Sequence, residues 1–150
     1  MTRTILILCA LAACGATSIA APSVSRKEGK GPSNSEGLFS NGTPIQVKVG
    51  DRIEAVCELH LKDFDGEPTI IANPRLANPT GKTIRVRYHV AFFDNEGKLV
   101  GCASQGCTLQ PGARQVQLAS CLVFAPPEDL KKVYSYQIVL YEVEVQENPK

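Results

Sequence analysis

Beyond residue 44 the chain alternates apolar and polar positions with a period of two. Residues 45–49 read Ile-Gln-Val-Lys-Val, and Ile53, Ala55, Cys57, Leu59 and Leu61 alternate with Glu54, Glu58, His60 and Lys62. A strand sends successive side chains to opposite faces, so each stretch predicts a half-buried strand. The same pattern predicts strands over 69–72, 83–93, 98–103, 114–124 and 133–145, about seven in all. Within 83–93, Val86, Tyr88, Val90 and Phe92 share one face while Arg85, Arg87 and His89 share the other. Asn73-Pro74, residues 78–81, residues 94–97 and Pro111-Gly112 break these runs, with Gly97 and Gly112 able to take positive φ. A single helical turn is predicted at 126–132, where prolines begin the segment, acids follow and lysines end it. Short strands with no crossover helix predict an all-β fold, an antiparallel immunoglobulin-like sandwich over residues 45–150.

The other residues divide in two. The start Met1-Thr-Arg3 and the apolar run from Ile5 to Ala13 have the pattern of an export signal, expected to form a leader helix. The run is about nine residues long, short of the roughly 20 that span a bilayer. Leu11-Ala-Ala-Cys14 resembles the lipobox of bacterial lipoproteins. That resemblance implies cleavage before Cys14, acylation of its thiol and amine, and anchoring by chains that contribute about 0.8 kcal/mol per buried methylene. The alternative is cleavage after Ala20, with Ser18 and Ala20 as the small flanking residues, which releases a soluble secreted domain. Residues 14–44 are small and polar, with too little apolar surface to offset their ordering entropy, so a flexible linker is expected. Only Leu38 and Phe39 are suited to dock locally.

Charge narrows the partners. Lys and Arg number 16 and Asp and Glu 15, and removal of Arg3 with the leader leaves 15 of each. No long-range field then favours nucleic acid. Lys82, Arg85 and Arg87 make a local basic face suited to an anionic glycan or lipid headgroup.

Residues 73–94, followed by Gly97-Lys-Leu-Val100 and Leu109-Gln-Pro-Gly112, resemble the FxLYD-type and related immunoglobulin-like domains of bacterial envelope lipoproteins. The shared landmarks are an Asn-rich turn, a long strand ending in an aromatic and Asp, a Gly turn, an apolar strand and a Pro-Gly turn. The resemblance implies an extracytoplasmic, non-enzymatic module and carries no catalytic residues.

Four cysteines fall in the domain: Cys57, Cys102, Cys107 and Cys121. An even number in an exported chain makes all four disulfide candidates. Cys102 with Cys107 closes a short loop and leaves Cys57 with Cys121, but Cys121 has the parity of neither Val116 nor Leu118, so that pairing needs a bulge. The connectivity stays open. Zinc would need closely paired ligands, and Cys102-x4-Cys107 has no second pair. Thiol exchange of the thioredoxin kind needs a C-x-x-C that is absent from the sequence.

Catalytic patterns fail residue by residue. His60 and His89 take outward strand positions. Ser104 lies one residue out of register with a Gly-x-Ser-x-Gly elbow, which also needs a strand-to-helix turn. Asp63, Asp65, Gly66 and Glu67 match only the opening of a calcium loop and read as a solvated turn. There is no phosphate-binding Gly-rich loop, and beyond Met1 the chain has neither Met nor Trp. The expectation is a non-enzymatic cell-envelope protein on the periplasmic side of a membrane, held there by the Cys14 lipid. It takes an envelope protein partner or a structural role, with no cofactor, metal, small-molecule substrate or nucleic acid. The competing expectation is a metal-binding or thiol-active protein using Cys102, Cys107 and Cys121.

Overall fold

The computed structural model describes residues 21–31 and 37–145. Cys14 and Ala20, and the leader they bound, lie outside the described residues. The strands are β1 (Ser23–Lys30), β2 (Ile45–Val49), β3 (Glu54–Phe64), β4 (Glu67–Ala77), β5 (Ile84–Phe93), β6 (Leu99–Leu109), β7 (Val116–Gln117), β8 (Cys121–Val123) and β9 (Ser135–Glu144). One helical turn, α1 (Pro127–Leu130), precedes β9. All pairings are antiparallel, and the strands form two sheets. Sheet A has the order β1-β9-β5-β6, and sheet B runs β2-β3-β4-β7 with β8 also on β4.

The all-β sandwich follows from the alternation. On β5, Ile84, Val86, Tyr88, Val90 and Phe92 are each at most 1% exposed, and they pack against Ile138 and Leu140 of β9 and Leu59 and Ile70 of sheet B. Taking β3, β4, β5, β6, β8 and β9 in order, β4 pairs with β8 and β5 with β9. These are the B–E and C–F pairings of the immunoglobulin order, although β6, fourth in that series, lies beside β5 rather than β8. The place beside β9 that the last strand, G, takes in that order is filled here by β1.

β1 corrects the expected linker at residues 14–44. That expectation rested on the lack of apolar side chains, and an edge strand needs few, because its backbone bonds to the neighbouring strand. All eight residues of β1 pair with β9, from Ser23 opposite Glu142 to Lys30 opposite Ser135. Inward, Ser25 Oγ donates to Asp51 Oδ2 at 2.9 Å. At Gly29 a Cβ would lie 2.4 Å from the ring of Tyr136, so only glycine lets that ring fold over the strand. Leu38 and Phe39 do dock, and the Phe39 ring centroid lies 6.2 Å from that of Phe92.

Two further expectations change. Asn73-Pro74 does not break the chain, for β4 runs through both residues, with Pro74 opposite Cys57. Its carbonyl accepts from Leu118 N at 3.1 Å, so its nitrogen faces the gap between β7 and β8, where no ladder bond is lost. The single strand expected over 114–124 is split at that gap. Ala72 pairs with Cys121 but Arg75 with Gln117, so three residues, 118–120, face two, 73 and 74. This extra residue is the bulge that Cys121 requires, and it turns the thiol inward beside Leu118 and Val123.

Asn78, in the expected turn, is fully buried. Its Nδ2 donates to the carbonyls of Lys82, Leu109 and Gln110, at 2.8, 3.2 and 3.1 Å, and so ties the β4–β5 turn to the end of β6.

Across the core, Tyr88 of sheet A and Cys57 of sheet B meet, with the hydroxyl oxygen 2.7 Å from Sγ. The pair gives each buried polar group its partner. Cys57→Ala strands the tyrosine hydroxyl and is expected to cost about 1–3 kcal/mol, while Tyr88→Phe costs under about 1 kcal/mol. The double substitution should then be more stable than the sum of the two, by about 1 kcal/mol in a urea-unfolding cycle. Strict additivity would contradict the pairing.

Candidate functional site

The outer face of sheet A is built by register. Val24, Tyr141, Arg87 and Gly106 form one cross-sheet row, and Arg26, Val139, His89 and Ser104 form the next. Arg85 lies beyond them, with Val143 and Thr108 opposite it. The β6 side of each row is small, so the longer β5 side chains border an open groove of about 420 Å³ lined by Arg85, Arg87, His89, Ser104, Gly106 and Thr108. A Cβ at Gly106 would sit 3.4 Å from Arg87 Cγ and 3.1 Å from the Val86 carbonyl, so glycine lets the arginine lie close to β6. His89 stands edge-on to Tyr141, with centroids 6.0 Å apart.

The electrostatics follow from who is paired. Among the described residues Arg85 and Arg87 make no ion pair, and Arg26 pairs with Glu28. Lys82 departs from the expected basic face. It is drawn to Glu144, which with Arg52 and the fully buried Glu142 makes a charged cluster at the end of the sandwich, the Arg52 Nε lying 3.3 Å from Glu142 Oε2. Arg26 and His89 take its place. Arg26 is not legible in the sequence as part of this face, because its position depends on β1 being a strand.

His60 is outward by parity yet only 8% exposed, because polar side chains of β3, β4 and the 118–120 bulge gather around its ring. Asn73 Nδ2 lies 3.2 Å from Nε2, and Glu58 Oε1 3.4 Å from it. Arg75 Nη2 donates to Glu58 at 2.9 Å, and Ser120 Oγ donates to Asn73 Oδ1 at 2.6 Å. Ser120 thus turns to Asn73 rather than to the imidazole, and the chain is a hydrogen-bonded brace with no nucleophile–base pair. Ser104 is brought opposite His89, but no hydrogen bond joins them among the described residues. Asp65 and Gly66, at φ 55° and 85°, form the two-residue turn between β3 and β4, with Gly66 N donating to Asp63 Oδ1.

The four disulfide candidates are free thiols. Cys102 and Cys107 do not close a loop, because both lie on the extended β6, five residues apart and on opposite faces, about 17 Å from one another. Cys57 and Cys121 have β4 between them and face residues two apart on it, Pro74 and Ala72, which puts their backbones about 12 Å apart, beyond the roughly 7 Å that a bridge can span. Among the described residues no three His, Cys, Asp or Glu side chains gather as metal ligands. No helix among them is long and apolar enough to cross a membrane.

No family model matches the chain, and no curated protein does. Among solved structures the chain is similar to the enzymatically active domain of tailspike protein 4 from bacteriophage CBA120, at 15% identity and a TM-score of 0.26. The match covers 77% of this chain and 19% of that one, and at that score it carries no inference about activity.

Burial sets the thiol chemistry. Desolvation pushes Cys57 up from 9.0 to about 12, against the opposing Tyr88 hydrogen bond, and pushes Cys121 up to about 11. Burial raises Cys107 as well. Both deeply shifted groups keep their protons in the fold between pH 9 and 11 while the unfolded chain loses them. Stability is therefore full below pH 9 and falls as the pH rises toward 12. Thermal unfolding midpoints should decline over that window, and alkylation of native protein should label the exposed Cys102 long before Cys57. Equal labelling of the two would contradict the placement.

Proposed function

We propose that this chain is a non-catalytic cell-envelope module, held on the periplasmic side of a membrane by a lipid at Cys14, that has a structural or partner-holding role through the outer face of sheet A. The observation that carries the reading is the groove between β5 and β6, where, among the described residues, Arg85 and Arg87 have no acidic partner and stand beside the small residues Ser104, Gly106 and Thr108. Unpaired charge on a rigid sheet is suited to recognising a complementary surface. The lipobox-like Leu11-Ala-Ala-Cys14 and the resemblance of residues 73–112 to FxLYD-type domains of envelope lipoproteins support the compartment. The same resemblance supports a role without catalysis.

The test is photo-crosslinking in the native envelope. A photoreactive residue at Thr108, in the groove, should give a defined adduct, and one at the exposed Lys62 on the outer face of sheet B should not. Adducts of equal yield at both positions, or none at 108, would remove sheet A as the working surface.

A further inference from the structure

β1 brings two things together that lie far apart in the chain. Its first residue, Ser23, follows Cys14 by nine positions, so at about 3.5 Å per residue the two are never more than about 32 Å apart. β1 also enters sheet A two strands from β5, which sets Val24 about 10 Å from the arginine row of the groove. An anchor at Cys14 therefore holds this sheet near the surface of the bilayer.

The surface so held has the composition of a headgroup-binding face. By strand parity its charged side chains are Arg26, Lys30, Arg85 and Arg87 against Glu28, four cations and one carboxylate, a formal +3 on a mature chain with as many acids as bases. Glu28 is itself occupied by Arg26 and by Gln137 Nε2 at 3.1 Å. Val24 and Tyr141, exposed at 50% and 42%, lie in the same row as Arg87 and suit the boundary between headgroup and acyl chain. Ser104 and Thr108 add hydroxyl donors along the groove. Two cations two residues apart on one face, with no acidic partner among the described residues, suit the phosphates of an anionic membrane surface.

We propose that the outer face of sheet A binds the anionic phospholipid headgroups of the membrane that carries the Cys14 lipid, so that the domain lies against its own membrane with β5 and β6 down. The inference rests on the anchored reading above and names the ligand of the same face.

The test uses the chain from Ala21 onward, which contains every strand among the described residues, so that binding owes nothing to an acyl chain. It is mixed with vesicles of phosphatidylcholine alone and with vesicles also containing phosphatidylglycerol, and bound protein is measured by sedimentation. Binding is expected only to the anionic vesicles and should be lost as salt is raised. Arg85→Ala with Arg87→Ala should weaken it about 25-fold, close to fivefold per charge. Arg85→Lys with Arg87→Lys should keep most of it, and Lys62→Ala should leave it unchanged; circular dichroism confirms that each variant folds. Equal binding to neutral vesicles, no binding to either, or no effect of the arginine pair would overturn the proposal. Displacement by millimolar inorganic phosphate would overturn it too, since the groove would then take a free anion. The mass of the mature N-terminal peptide separates the two readings. An acylated Cys14 with no vesicle binding removes only the headgroup face, and an N-terminus at Ala21 with binding intact removes only the anchor.

Discussion

Tyr88 is the side chain on which the two sheets close. It sits on β5, in the middle of sheet A, and its hydroxyl ends on the Cys57 thiol of sheet B. A buried hydroxyl without a partner costs about 1–3 kcal/mol, so the contact sets which face of β5 points inward as well as filling space. With Tyr88 inside, Arg85, Arg87 and His89 must be outside. A slip of one residue along β5 would bring Arg87 into the core and expose Val86 and Tyr88. The basic groove is thus the outward image of the core.

The alternation that made β5 legible in sequence did not reach β1. Residues 23–30 have no apolar period because this strand lies at the edge of the sheet, bonded through its backbone and folded under Tyr136 at Gly29. No pattern within the segment marks it; the missing signal is the bare edge of β9, which only the assembled sheet presents. Pro74 misled for the opposite reason. Proline ends a strand when its neighbours need its N–H, and here that side faces the opening left by the 118–120 bulge. The need for a bulge at Cys121 was legible from parity, whereas its position required the register.

Site residues divide in the same way. Arg85 and Arg87 could be found from one strand's alternation. Arg26 could not, and Lys82 leaves the face that its position in sequence suggests because Glu144, 62 positions later, draws it away. His60 shows how an outward position becomes buried: polar side chains of β3, β4 and the 118–120 bulge gather around it, and Glu58, Asn73, Arg75 and Ser120 use their polar groups on it and on one another. The cysteines sit apart by ordinary strand geometry, an extended strand between one pair and an intervening strand between the other. The thiol of Cys57 does its structural work as a protonated partner to a tyrosine.

The placement of β1 decides both the make-up of the outer face and its distance from Cys14. Nuclear Overhauser contacts across sheet A measure it directly, between Val24 and Tyr141 and between Tyr141 and Arg87. The expected result is both sets of contacts, with slowed amide exchange along residues 23–30. Contacts between Tyr141 and Arg87 alone, with residues 23–30 exchanging like free chain, would show sheet A ending at β9 and contradict the account.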